Sequence, residues 1–307
     1  MFGLKAAVSI ALLGLLLSRL GAAAVLEVIG GANKLLLAAG GLCLIVQTAI
    51  SALKWRVLLA GQGQHVGYLP LFTTYLIGNF INLFMPSVAG GDAYRAVWLR
   101  KHTKTISAAL PSIVVERATG LAALIALAVV GLALLQAPDR AAYVVGAAAM
   151  AALGAYAVLV YPVAEWVWRQ PRERFFKLTG IAGDVLRSSR LSVAFVAVVV
   201  LSFVFQFNTV LINWLYASSM DLSVTFLQLL IIVPVVYLVE MIPISLNGVG
   251  VREGTFAVLF AQMGLPPEQG VALGLTITLM RYVVGLIGGS LFTVSMLRRP
   301  AVAGSPS

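Results

Sequence analysis

Long apolar runs, interrupted by short basic or Gly/Pro-containing breaks, dominate this chain. A helix that crosses a bilayer needs ~20 mostly apolar residues, because its backbone must satisfy its own hydrogen bonds and each residue advances only ~1.5 Å. The runs predict spans at about 4–26, 35–53, 113–136, 141–161, 191–217 and 271–297. The first has a signal-peptide look, with Lys5, an apolar core from Ala6 to Leu17 and then Gly21-Ala22-Ala23-Ala24. Its apolar character continues to Ile29 and every later run is membrane-like, so a retained helix is expected. Arg19 inside it is expected to snorkel or to face other helices.

Charge sets the orientation. Lys5, Lys54/Arg56, the group Arg95, Arg100, Lys101 and Lys104, the stretch from Arg169 to Arg190, and Arg298/Arg299 are expected on the cytoplasmic side, leaving Lys34 and Arg140 opposite. Residues 69–91 are long enough to cross, yet both ends are basic, so a re-entrant hairpin is expected there. Residues 226–242 meet the break Pro243 to Gly254, and the short apolar piece 255–263 follows, which predicts a second re-entrant segment opening from the opposite face. Sliding the chain by 157 residues superposes Pro86 on Pro243, Gly91 on Gly248 and Arg95 on Arg252, and carries 35–53 onto 192–210 and 113–136 onto 270–293. The expected fold is therefore an all-α polytopic integral membrane protein, with about six full spans, two re-entrant broken-helix segments and an inverted repeat. It forms a single transmembrane domain over 1–300, with halves 1–138 and 139–300 and a disordered tail at 301–307. The stretch 162–190, with Trp166, Trp168, Phe175 and Phe176 among six basic residues, reads either as a segment on the cytoplasmic membrane face or as a solvated positive loop.

Composition removes whole classes of function. The 307 residues are 61% hydrophobic and 10% charged, where a soluble domain carries about a quarter charged residues, so a water-soluble globule is excluded. The net charge of +10 follows from basic cytoplasmic loops, and no nucleic-acid-binding motif accompanies it. A lone Cys43 and the distant His65 and His102 argue against a disulfide framework or a metal site. No cofactor is expected.

Charges at membrane depth are expensive and need a reason. Glu116, Arg117, Glu240, Arg252, Glu253 and Arg281 fall there. Glu116 and Arg117 are adjacent and point ~100° apart on a helix, so each is expected to pair elsewhere. One reading makes these residues ion pairs that lock helices. The other makes them a polar cavity whose arginines hold an anion. The two broken segments favour the second reading. Gly90, Gly91 and Asp92 precede a helix expected from Ala93 to Lys104, with Asp92 as its N-cap, and Gly248 and Gly250 precede Arg252. Glycine lets backbone N–H groups approach an anion at a helix start, and Arg95 or Arg252 would add a bidentate phosphate donor. Asn79, Asn82, Ser87 and Asn247 supply neutral polar contacts. Asp92 and Glu253 would repel a phosphate unless paired, and proton coupling is a further role for them.

The segment Gly78-Asn79-Phe80-Ile81-Asn82 through Pro86-Ser87, Gly90-Gly91-Asp92 and Arg95, together with Glu116-Arg117, Pro243 to Gly254 and Arg281, resembles the lysylphosphatidylglycerol synthase transmembrane region, also called the flippase-like or UPF0104 family. The resemblance covers nearly the whole chain. It implies a multi-pass protein of the bacterial or archaeal cytoplasmic membrane, associated with lipid translocation. Ala118-Thr119-Gly120 stands where the family pattern has an acidic residue, which puts that acid's role in doubt. With ten residues after the last span, no soluble synthase domain and no aminoacyl transfer are expected. The sequence thus points to a lipid flippase or translocase rather than an enzyme. Its expected partner is a membrane lipid with an anionic headgroup or a lipid-linked glycan, moved without an ATP-binding P-loop. Both termini are expected in the cytoplasm. The alternatives are an accessory subunit for a lipid-synthesising enzyme or glycosyltransferase, and a lipid-linked sugar transferase.

Overall fold

A computed structural model describes residues 2–85, 89–103, 109–135, 189–242 and 245–297. The described residues form ten helices and no strand: α1 (Phe2–Leu20), α2 (Ala22–Gly30), α3 (Lys34–Gly61), α4 (Tyr68–Leu83), α5 (Ala89–Thr103), α6 (Ala109–Leu135), α7 (Ser189–Ser219), α8 (Phe226–Glu240), α9 (Val251–Gln262) and α10 (Pro267–Leu297). Four of them, α3, α6, α7 and α10, are long and apolar enough to cross a membrane. The bent pair α1–α2 makes a fifth if it counts as one span.

The single helix expected at 4–26 is broken. The chain turns by 90° at Gly21, whose φ of 83° is open to glycine because no Cβ crowds the carbonyl. Arg19, beside this bend, is exposed. The span expected at 141–161, the aromatic basic stretch and the C-terminal tail lie outside the described residues. The other expected spans are present, α3 running on to Gly61.

Local chemistry explains several boundaries. Asn33 caps α3, its side chain accepting from the N–H groups of Leu35 and Leu36. Thr225 and Gln228 form a reciprocal capping box at the start of α8. Helix α5 starts at Ala89 rather than Ala93, so Asp92 sits inside the first turn and is not the N-cap.

Large side chains such as Leu35, Val193, Val200, Leu279 and Leu286 are exposed along the helices, a surface suited to lipid and not to water. The main core gathers α7, α8, α9 and α10 around Val210, Ile232, Phe256 and Leu273. Helix α8 is apolar all round and buried from Leu229 to Val236. A smaller core joins α3, α4 and α5 through Trp55, Leu59, Leu71, Tyr75 and Leu99. Displaced by 157 residues, α3, α4 and α6 start within two residues of α7, α8 and α10, whereas α5 starts five residues ahead of α9. The packing is reciprocal as well: α4 lies against α10, α8 lies against α6, and α3 packs along α7.

Candidate functional site

Two charged clusters form, one at each broken segment. In the first, α4 and α5 approach closely where Gly91 faces Gly78; a Cβ on Gly91 would stand 2.7 Å from the Gly78 carbonyl oxygen. The Gly91 N–H donates to Asn82 Oδ1 at 2.6 Å. This contact aims the first turn of α5 at α6. Arg95 then donates from Nη1 to Asp92 Oδ1 at 3.0 Å and from Nη2 to Glu116 Oε2 at 2.7 Å. Asp92 Oδ2 accepts from Arg117 Nη2 at 2.8 Å and from its Nε at 3.2 Å. Glu116 and Arg117 thus pair with different partners, as their 100° separation requires.

Aromatic rings complete this cluster. The Arg95 guanidinium lies 3.9 Å from the Tyr75 ring centroid and 4.4 Å from that of Trp55. The Tyr75 hydroxyl donates to the Glu116 carboxylate at 2.6 Å, and Trp55 Nε1 donates to Ser112 Oγ at 3.0 Å. Lys54 is buried beside Trp55, its Nζ 5.5 Å from the Phe205 ring centroid. Sequence reasoning placed Lys54 in a cytoplasmic loop, but the continuation of α3 to Gly61 draws it inside.

The second cluster is tied by Arg252, whose side chain is fully buried. Its Nε and Nη2 both donate to Glu240, Nη2 also to the Asn247 carbonyl at 2.8 Å, and Nη1 to Thr278 Oγ1 at 2.6 Å. Arg281 Nη1 reaches Glu240 Oε1 at 2.6 Å, and its guanidinium lies 5.3 Å from the Tyr237 ring centroid. Glu253 accepts from the Gly250 N–H at 2.6 Å and from Thr278 Oγ1 at 2.8 Å. Gly248, at φ 78°, allows the loop to pass the Glu240 side chain, which a Cβ would meet. Helix α1 covers the loop, Ser9 Oγ accepting from the Leu246 N–H at 2.9 Å.

The expected site residues therefore fall into two groups. Asn82, Gly91, Asp92, Arg95, Glu116 and Arg117 converge at the first cluster, and Glu240, Asn247, Gly248, Gly250, Arg252, Glu253 and Arg281 at the second. Asn79 instead donates to Thr48 Oγ1 at 3.1 Å, tying α4 to α3. Gly90 packs on Met85, and Ser87 lies outside the described residues. The N–H groups of Gly91 and Gly250, expected to cradle an anion, are taken by Asn82 and Glu253. Sequence reasoning missed Lys54, Trp55, Tyr75 and Thr278. It also missed a polar seam between α3 and α7, where Gln47 Nε2 meets Thr209 Oγ1 at 2.5 Å and Asn208 Nδ2 meets the Cys43 carbonyl at 3.0 Å. The signal was present: Ser202, Gln206, Thr209 and Asn213 recur at helical spacing on one face of an otherwise apolar run.

Every guanidinium nitrogen of Arg252 has a partner, whereas the buried Nε of Arg95 has none among the described residues. Formal charges balance in the second cluster, Arg252 and Arg281 against Glu240 and Glu253. In the first, among the described residues, Lys54, Arg95 and Arg117 exceed Asp92 and Glu116 by one positive charge. Arg117 is also 42% exposed, the most open guanidinium of either cluster's ion pairs.

No curated protein and no solved structure matches the chain. The family profile described as lysylphosphatidylglycerol synthase TM region matches residues 3–289, which include both charged clusters and every helix from α3 to α9. The chain belongs to that family of membrane proteins, related to lipid synthesis or flipping.

Proposed function

We propose that this protein is a lipid translocase of the cytoplasmic membrane rather than an enzyme, and that it binds the phosphate of an anionic or polyprenyl-phosphate-linked lipid at the first cluster. The excess positive charge there, with Arg117 turned outward, carries the reading. Buried charge without a counter-charge is costly, and an entering phosphate would supply one. The direct phosphate contact passes from Arg95, which is held by two carboxylates, to Arg117, with Lys54 adding charge from behind. Arg252 acts as a structural lock.

The proposed architecture is an inverted repeat in which α3–α6 correspond to α7–α10 and both broken segments re-enter. The register of helix starts and the reciprocal packing of α4 on α10 and α8 on α6 support it. Broken helices at matching positions of two halves are where transporter sites form. In this reading both termini lie in the cytoplasm, which the basic residues near them support.

The test is movement of fluorescent phosphatidylglycerol in proteoliposomes, alongside native mass spectrometry of lipid retained by the detergent-purified protein. Arg117→Ala removes a charge-assisted contact of ~1.5–3 kcal/mol, so retention of phosphate lipids should fall roughly ten- to a hundredfold. Wild-type retention and movement in Arg117→Ala and Lys54→Ala would refute the site.

A further inference from the structure

Lys54 stands apart from the other charged members of the first cluster. It is 3% exposed, and its ammonium rests over the Phe205 ring at 5.5 Å; among the described residues no ion pair or hydrogen bond reaches it. The carboxylates are committed elsewhere. Asp92 holds Arg95 and Arg117, while Glu116 holds Arg95 and the Tyr75 hydroxyl. Glu116, Arg117 and Arg95 are the charges within electrostatic range of Lys54, one attractive and two repulsive. The other elements packed on α3 bring it no counter-charge. Helix α7 has no ionisable side chain between Leu191 and Leu215, and its Tyr216 sits against Gly40, ~21 Å along α3 from Lys54. Helix α10 meets α3 through Met280 at Gly41 and has no ionisable side chain after Tyr282. On α4, Tyr68 donates to the Ala49 carbonyl and Tyr75 to Glu116, and on α3 itself Arg56 is exposed.

A buried cation without a counter-charge is costly. Arginine has no way to avoid that cost, because a guanidinium keeps its proton in proteins, whereas a buried lysine can give its proton up. With Lys54 neutral, Arg95 and Arg117 balance Asp92 and Glu116. With Lys54 protonated, the same residues are one negative charge short, which a lipid phosphodiester supplies. The described cluster is therefore neutral both empty and occupied when phosphate and proton enter together. Protonating either carboxylate instead would sacrifice a charge-assisted bond to arginine.

We propose that Lys54 is a proton-binding site linked to the phosphate site, so that the protein takes up a proton as it binds a phosphate lipid. This rests on the reading of the first cluster as a phosphate site and deepens it: Lys54 carries the excess charge counted there when the headgroup is present. The linkage is reciprocal. A proton on Lys54 strengthens lipid binding by the same factor by which bound lipid strengthens the hold of Lys54 on the proton.

The experiment is isothermal titration calorimetry of short-chain phosphatidylglycerol into the detergent-purified protein, repeated in buffers of different ionisation enthalpy so that the heats count protons. The phosphodiester of this lipid stays singly charged over the working range, so any uptake belongs to the protein. Between about pH 5 and about pH 10 the wild type should show a window in which uptake approaches about one proton per lipid, and affinity there should fall by up to roughly tenfold per pH unit. On the acid side of that window Lys54 is protonated with or without lipid, and on the alkaline side it is neutral in both, so uptake should vanish at each end. Lys54→Met should abolish the uptake. Its affinity should lie roughly tenfold or more below wild type at the acid end, with the gap closing as pH rises. Lys54→Arg keeps a cation that does not release its proton, so it should bind without uptake and with a flat pH profile. If either variant does not purify as a monodisperse protein, the other variant and the wild-type window still decide.

Histidine is the other side chain that exchanges a proton near neutral pH, and His65 and His102 are exposed, His102 stacked on Trp98 at 3.9 Å. The window should survive His65→Gln with His102→Gln, and its loss there would overturn the assignment to Lys54. Unchanged uptake in Lys54→Met would overturn it too, since the proton would then sit on a carboxylate. Phosphatidylglycerol bound with no uptake at any pH would overturn the coupling and leave the phosphate site standing. No binding by the wild type at any pH would remove the phosphate site and the coupling with it.

Discussion

The two charged clusters grow from a similar plan, a break between two helices of which the second carries an arginine, with glycines in the first turn of α5 in one case and in the loop before α9 in the other, yet they are finished differently. Arg252 is fully buried with all its nitrogens engaged, its cluster is electrically neutral, and α1 lies across the loop. Arg95 is nearly as buried, but among the described residues its Nε has no partner and its neighbours sum to an excess positive charge, and Arg117 on its rim is open. The carboxylates also come from different places. The first cluster takes Asp92 from α5 and Glu116 from α6, while the second takes Glu240 from α8 and Glu253 from α9. At the 157-residue displacement, the arginine is the only charged residue common to both; Glu116 meets Leu273 and Glu240 meets Leu83. Helices that start in nearly the same register thus carry an unlike pair of clusters: among the described residues one is balanced in charge and the other has one more cation than carboxylate.

The severest way to break this comparison is at the lock. Glu240→Leu strips both Arg252 and Arg281 of their shared carboxylate, and leaving buried charges unpaired costs about 3–5 kcal/mol. Thermal unfolding in detergent should show a large fall in midpoint, and a loss below about 1 kcal/mol would mean that this cluster is not a lock.

Arg117→Gln probes the open site. With 42% of the side chain exposed, its ion pair with Asp92 should contribute no more than ~1 kcal/mol to stability, so unfolding should change little. Phosphate-lipid affinity should fall by ~1.5–3 kcal/mol over the same comparison. Equal stability loss in Arg117→Gln and Glu240→Leu would erase the distinction between the clusters.

Gly91→Ala tests whether the first cluster depends on the approach of α5 to α4. The added methyl meets the Gly78 carbonyl oxygen and the Asn82 amide at 2.7 Å, an overpacking that typically costs ~1–3 kcal/mol. Unfolding midpoint and phosphate-lipid retention should fall together, because displacing α5 moves Asp92 and Arg95. Unchanged retention would show that the cluster does not rely on this contact.

The smallest effect is expected from Trp55→Phe. It keeps a ring face for Arg95 but deletes the bond to Ser112, a loss of ~0.5–1.5 kcal/mol. Trp55→Leu, which removes the ring, should lower stability further, since the guanidinium then loses an aromatic face at 4.4 Å. Equal stability in the two variants would show that the ring face contributes nothing.

The long helices were readable because membrane insertion demands about twenty apolar residues in a row, a one-dimensional signal that survives in α3, α6, α7 and α10. The family was readable from its motifs, and so was the need for Glu116 and Arg117 to find separate partners, which follows from helix geometry alone. Partner choice was not. Lys54 looked like a loop cation until α3 continued past it. The N–H groups of Gly91 and Gly250 looked free until Asn82 and Glu253 closed on them. Arg95 and Arg252 looked equivalent because each follows a proline and a glycine at the same spacing. What separates them is contributed by α6, α8 and α10, whose contacting residues lie 12 to 26 positions from the arginine and are not brought together by sequence spacing. Hydropathy acts along the chain, so the sequence by itself determined the long helices and the membrane they suit, whereas the bend at Gly21 and the start of α5 at Ala89 were not legible in it. Charge balance is a sum over neighbours in space, and only the tertiary structure decided which arginine has every nitrogen engaged and which cluster, among the described residues, holds more cations than carboxylates.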